Sequence, residues 1–229
     1  MLGKPGEYDS YSNMSHIIAE AVIEKLSGRS YADYVRSRVL APAGLATSGP
    51  LAPALFTIGA FTGANDTSGE AGHYLANGTY AAYATSSTCE NEPPGVGAGG
   101  WAMSAVDLLR WYTSVNGRPG RVPELLTTAH QKALTTAATP KFPSGTPPYA
   151  SGWYVDGSWN WCGSSRTITQ GHNGGVAGAS SDLWSFPDGY SLAVIVNQDS
   201  TGCSGAGAIV KNLIDGPLRT VEWPEQDQF

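Results

Sequence analysis

Apolar residues recur at helical spacing four times before the chain changes character. Met14, Ile17, Ile18, Ala21, Val22 and Leu26 define a first helix that Gly28 stops in the usual C-terminal position. Ser30 with Asp33 has capping-box spacing for a second helix through Val35 and Val39, ended by Pro42 and Gly44. From about Ala46 to Gly100 no period holds and turn residues dominate, which predicts an ordered loop region lining a site. Ser104 with Asp107 opens a third helix carrying Leu108, Leu109, Tyr112 and Val115 on one face, and Gly117 closes it. Pro123 marks a further helix start, with Leu125, Leu126, Ala129 and Ala133 following.

Then strands are predicted. Gly152–Val155 and Arg166–Thr169 have strand composition, and a hairpin is expected from about Gly178 to Val196 around Pro187-Asp188-Gly189. The run Leu192–Val196 is apolar without alternation, which predicts a strand covered on both faces. Ala206, Ile209, Val210, Leu213 and Ile214 form a last amphipathic helix ended by Gly216-Pro217. Helices segregated from an antiparallel hairpin sheet give an α+β class. The expected organisation is a single domain over 1–229, mainly helix and loop over about 14–140, with sheet hairpins and the last helix over about 150–217.

With 229 residues, 41% of them hydrophobic, the chain can bury a proper core. Charged residues are 14%, the net charge is −6, and no basic stripe occurs, so nucleic acid and anionic membrane surfaces are excluded as partners. No apolar run approaches a membrane span, and no cofactor is implied. Cys89, Cys162 and Cys203 form no CxxC and meet no histidine at ligand spacing, so no metal is expected. Cys162 and Cys203 are a disulfide candidate, with reduced buried thiols the alternative. A bond would imply an oxidising compartment, outside the cell or in a periplasm.

Chemistry points first to Gln170-Gly171-His172-Asn173-Gly174-Gly175, an imidazole among glycines that let another backbone or a ligand come close. Its bland reading is a glycine-rich turn with a surface histidine. The second element is Tyr11-Ser12-Asn13, whose bland reading is a tyrosine packed at a helix start with Asn13 as N-cap. In this order, with Pro5-Gly6 before Tyr11-Ser12-Asn13 and with Leu40-Ala41-Pro42-Ala43-Gly44-Leu45 and Gly99-Gly100-Trp101-Ala102-Met103-Ser104 between, the motifs resemble the serine β-lactamase, DD-peptidase and family VIII-type esterase superfamily, the penicillin-recognising fold.

That resemblance, from about Pro5 to Leu213, implies a β-lactamase/transpeptidase-like fold and a serine hydrolase acting on ester or D-amino-acid peptide bonds through an acyl-enzyme. Tyr11 would be the proton-transfer phenol, and Asn13 would hydrogen-bond a lysine or the substrate amide. His172 would stand where the third-motif cation stands, and the Gly175 N–H would be an oxyanion donor. Asn173 and Gly174 would meet the substrate. Trp153 is a further substrate-binding candidate, with a core or rim aromatic as its alternative.

No Ser-x-x-Lys occurs anywhere in the chain, and no Gly-x-Ser-x-Gly elbow replaces it. Ser180 and Ser181 lie near His172 in sequence, but no acidic orienter can be assigned to them. The resemblance then implies a chain without the nucleophile helix and the first two strands of the sheet. Three readings stay open: a hydrolase whose nucleophile segment comes from elsewhere, a non-catalytic binding module, and a fragment that folds by oligomerising. The expected partners are a small ester or peptide substrate and either a complementing N-terminal segment or further copies of the chain.

Overall fold

The computed structural model describes residues 11–45, 73–74, 80–81, 96–99, 101, 103–117, 122–137, 147–176, 179–196, 198 and 203–220. The chain divides into two compact units, one running from Tyr11 up to Leu125 and one from Leu126 on, the second also taking short earlier pieces. Most of the loop region expected between Ala46 and Gly100 lies outside the described residues, as does Cys89.

In the helical unit, α1 (Asn13–Ser27) ends at Gly28 in the left-handed conformation, φ 66°, whose N–H donates to the Glu24 carbonyl. The face it buries is not the predicted one. Glu20 is 6% exposed and accepts the Gly97 N–H at 2.8 Å, while Met14, Ile18 and Val22 are exposed and Leu26 is 82% exposed. A buried carboxylate needs donors, and a backbone amide far along the chain supplies one. Ser30 caps α2 (Tyr31–Val35) by accepting the Asp33 N–H. The expected continuation through Val39 is a π-helical turn, Arg36–Leu40. Ser37 Oγ donates back to the Asp33 carbonyl at 2.6 Å, a bond that competes with the regular ladder at the switch.

Two short strands, β1 (His73–Tyr74) and β2 (Tyr80–Ala81), follow. Ser104 caps α3 (Ala105–Asn116), accepting the Asp107 N–H at 3.1 Å, as its spacing predicts. Leu40, Ala43 and Leu45 form the unit's core, against which Trp101, Met103, Trp111, Val122 and Leu125 pack.

In the sheet unit, α4 (Thr128–Thr135) starts at a Thr127 cap, not at Pro123. Leu125 cannot join it, because its N–H donates to the Ser114 carbonyl at 2.7 Å. Five antiparallel strands follow in the order β3 (Tyr149–Ala150), β4 (Trp153–Trp161), β5 (Ser164–Val176), β6 (Ala179–Ser185) and β7 (Ser191–Val196). Cys162 and Gly163, both at positive φ, make the two-residue turn between β4 and β5 that matches strand twist. A disulfide joins Cys162 to Cys203, with the α-carbons 5.4 Å apart.

Helix α5 (Gly205–Asp215) packs on the sheet through Ala206, Val210 and Ile214, which meet Trp161, Ile168, Trp184, Phe186 and Val194. Its own N-cap Ser204 makes no side-chain cap; Ser180 of β6 accepts the Ala206 N–H instead, at 3.0 Å. The expectation that Leu192–Val196 is covered on both faces fails. Strand β7 is at the sheet edge among the described residues, and Ile195 is 38% exposed. Helices beside an antiparallel sheet make the unit α+β, the class expected from the sequence.

Candidate functional site

The Gln170–Gly175 segment is strand, not turn. All six residues lie in β5, paired with Ser180–Ser185 of β6. Gly171 is required by the fold itself, since a Cβ there would lie on the Trp184 ring and 2.5 Å from the Leu183 carbonyl. The glycine expected to let a ligand come close is thus covered by a cross-strand indole.

Beyond Gly171 the two sides of β5 differ. Among the described residues the ladder to β4 ends at Tyr154↔Gly171, whereas the ladder to β6 continues to Val176↔Ala179. Asn173 and Gly175 are exposed, and His172 and Gly174 are partly so. The strand therefore presents an extended segment, His172 to Gly175, whose ladder on the β4 side has stopped. A Cβ on Gly174 would come within 2.8 Å of Ser181 Oγ, so the β6 side is close-packed there.

His172 is held by aromatic neighbours. Its Nε2 lies 3.0 Å from the Tyr149 hydroxyl, and its Nδ1 lies 2.5 Å from the Asn173 carbonyl oxygen. The Tyr154 ring stacks on the imidazole at 5.2 Å between centroids, and Tyr149 meets Tyr154 edge-on at 5.0 Å. Sequence reading misses Tyr149 and Tyr154; strand alternation beside Trp153 was the only trace of them.

Across β5 from Asn173 stands Asp182, only 4% exposed. Burial pushes its carboxyl up to about 6, against the pull of hydrogen bonds from the Trp184 and Trp161 indoles, both of which donate to Oδ1. Ser180, weighed in sequence as a substitute nucleophile, is buried and engaged by the Ala206 N–H. Trp153 is 7% exposed, which favours its reading as a core aromatic over one at the substrate.

Tyr11 and Asn13 belong to the helical unit. The bland readings of both give way: Tyr11 is exposed, its hydroxyl donating to Asn13 Oδ1 at 2.9 Å, and the N-cap of α1 is Ser12, not Asn13. Among the described residues no group of three or more His, Cys, Asp or Glu is placed to hold a metal ion. No helix among them is long and apolar enough to cross a membrane.

Several known proteins are similar to this chain. An unguisins hydrolase of Aspergillus campestris is 26% identical over 215 residues, which is 91% of this chain and 36% of that protein. An octameric penicillin-binding protein homologue from Pyrococcus abyssi superposes with a TM-score of 0.65 at 20% identity, over 95% of this chain and 44% of the other. The D-amino acid amidase of Ochrobactrum anthropi gives a TM-score of 0.62 at 18% identity, over 96% and 61%. At those identities the two structures show a shared fold. In each comparison the chain spans less than two thirds of its relative's length. The beta-lactamase family profile matches residues 1–211, nearly the whole chain. The chain belongs to the beta-lactamase family.

Proposed function

We propose that this chain supplies the substrate-edge strand and the proton-handling side chains of a serine hydrolase that splits ester or D-amino-acid peptide bonds through an acyl-enzyme. The observation that carries the reading is the exposed stretch of β5 beyond Gly171, where the ladder continues on the β6 side alone among the described residues. A substrate laid along that edge would take strand-type hydrogen bonds, with Asn173 and Gly174 beneath it. The Gly175 N–H would then meet the developing oxyanion. Tyr11 takes the proton of the attacking serine and returns it to the leaving group, Asn13 holds the lysine or the substrate amide, and His172 stands on the substrate-edge strand β5. Relatives named as an unguisins hydrolase and a D-amino acid amidase favour this substrate class.

The attacking serine comes from a complementing segment that carries Ser-x-x-Lys. Two surfaces favour such a partner, the exposed Met14-Ile18-Val22-Leu26 stripe of α1 and the edge strand β7. A second copy of the chain is the alternative occupant, in line with the octameric state of the Pyrococcus relative. The Cys162–Cys203 disulfide favours an extracellular or periplasmic setting.

The test is covalent labelling by a fluorophosphonate or penicillin probe, with and without a segment bearing Ser-x-x-Lys. Label is expected on the added serine only when the segment is present. Tyr11→Phe should slow labelling about 10²–10⁴-fold, the usual range for a lost proton-transfer group. Absence of label in a folded, completed protein refutes the proposal, as does label on a serine of this chain.

A further inference from the structure

The contacts of His172 fix where its proton sits. A carbonyl oxygen can only accept, so the 2.5 Å contact between Nδ1 and the Asn173 carbonyl places the imidazole proton on Nδ1. In the neutral ring Nε2 then holds a lone pair, and the Tyr149 hydroxyl 3.0 Å away is the donor to it. We propose that Tyr149 is a positioning residue that hydrogen-bonds His172 Nε2 and fixes the orientation of the ring at the substrate edge, while the Asn173 carbonyl selects the Nδ1–H tautomer.

Three further observations make the arrangement a built one. Tyr149 is placed by the short strand β3, whose register sets it opposite Tyr154. Tyr154 in turn stacks on the imidazole at an interplanar angle of 30°, so one ring face is covered from a neighbouring strand. Tyr149 meets the imidazole edge-on at 5.7 Å between centroids, the approach that directs its hydroxyl at a ring nitrogen. When the ring is protonated, Nε2–H donates back to the same oxygen, so one geometry serves both charge states. The inference rests on the proposed hydrolase only for what the imidazole does, since the tautomer follows from the contacts themselves.

The experiment is imidazole ¹⁵N nuclear magnetic resonance on the full chain at about pH 8.5, well above the ordinary histidine range of about 6.5. Loss of one signal set in His172→Gln assigns the resonances. Expected in the native chain is a protonated, pyrrole-like Nδ1 and a pyridine-like Nε2. In Tyr149→Phe, which keeps the ring and loses the hydroxyl, the Nδ1–H form should persist while the His172 Nε2 resonance moves toward that of a pyridine-type nitrogen that accepts no hydrogen bond. A native chain in the Nε2–H form overturns the proposal, and so does a folded Tyr149→Phe whose Nε2 resonance is unmoved. Should Tyr149→Phe not fold, 3-fluorotyrosine at position 149 gives the same decision. As a stronger donor of the same shape it shifts the His172 Nε2 resonance, and an unmoved resonance sinks the idea. A chain that shows the tautomer but never takes a probe would overturn the hydrolase reading alone.

Discussion

Replacing Asp182 by Asn tests the energetics of the sheet unit most directly. Burial raises the Asp182 carboxyl from 3.8 to about 6, while the two indole hydrogen bonds pull the other way and lose. The folded chain therefore holds this proton more tightly than the unfolded one. Between about pH 4 and pH 6 the native state binds more protons, so stability falls as pH rises through that window and then levels off. A displacement from 3.8 to about 6 corresponds, at ~1.4 kcal/mol per pH unit, to about 3 kcal/mol.

Asn keeps the carbonyl oxygen that accepts from Trp161 and Trp184 and carries no charge. Guanidinium unfolding of both proteins, with the disulfide intact, at about pH 4 and about pH 7.5 isolates the effect, because other titrating groups cancel. The stability of Asp182→Asn relative to native should rise by about 2 kcal/mol between the two conditions, less than the full displacement because the unfolded carboxyl is already partly ionised at about pH 4. A relative stability that stays constant to within about 0.5 kcal/mol would refute the reasoning.

Two other substitutions probe the same unit. Gly171→Ala forces a methyl group against the Trp184 ring and the Leu183 carbonyl, and should cost about 1–3 kcal/mol or more by denaturant unfolding. An unaffected midpoint would mean that the indole does not cover this strand. Cys162→Ser opens a loop whose ends are 41 residues apart and should cost about 4 kcal/mol, read as a lowered midpoint that reducing agent reproduces in the native chain. A native chain insensitive to reductant would count against the bond.

The sequence alone determined where most helices start and stop. Gly28 and Gly117 sit in the left-handed conformation that few other residues adopt cheaply, and Ser30 and Ser104 cap with the residue three positions on. Those are local effects, written within four residues. The β6–β7 hairpin was equally legible, since its Pro187-Asp188-Gly189 turn and the apolar strand after it lie side by side in the chain. The family, too, was readable from three short motifs in order.

What tertiary structure decided is which face and which partner. A helical stripe in α1 says that one side is apolar, yet Glu20 turns inward because Gly97, 77 residues away, offers an N–H, and Leu26 is left outside. Glycines around His172 read as a turn until Trp184 is paired opposite Gly171 and takes up the space a side chain would fill. Tyr149 gained a role only through two strand registers that bring it to His172. Local conformational preference is encoded residue by residue, whereas donors, ring stacks and sheet edges depend on pairings between distant segments, and these are settled only when the chain has folded.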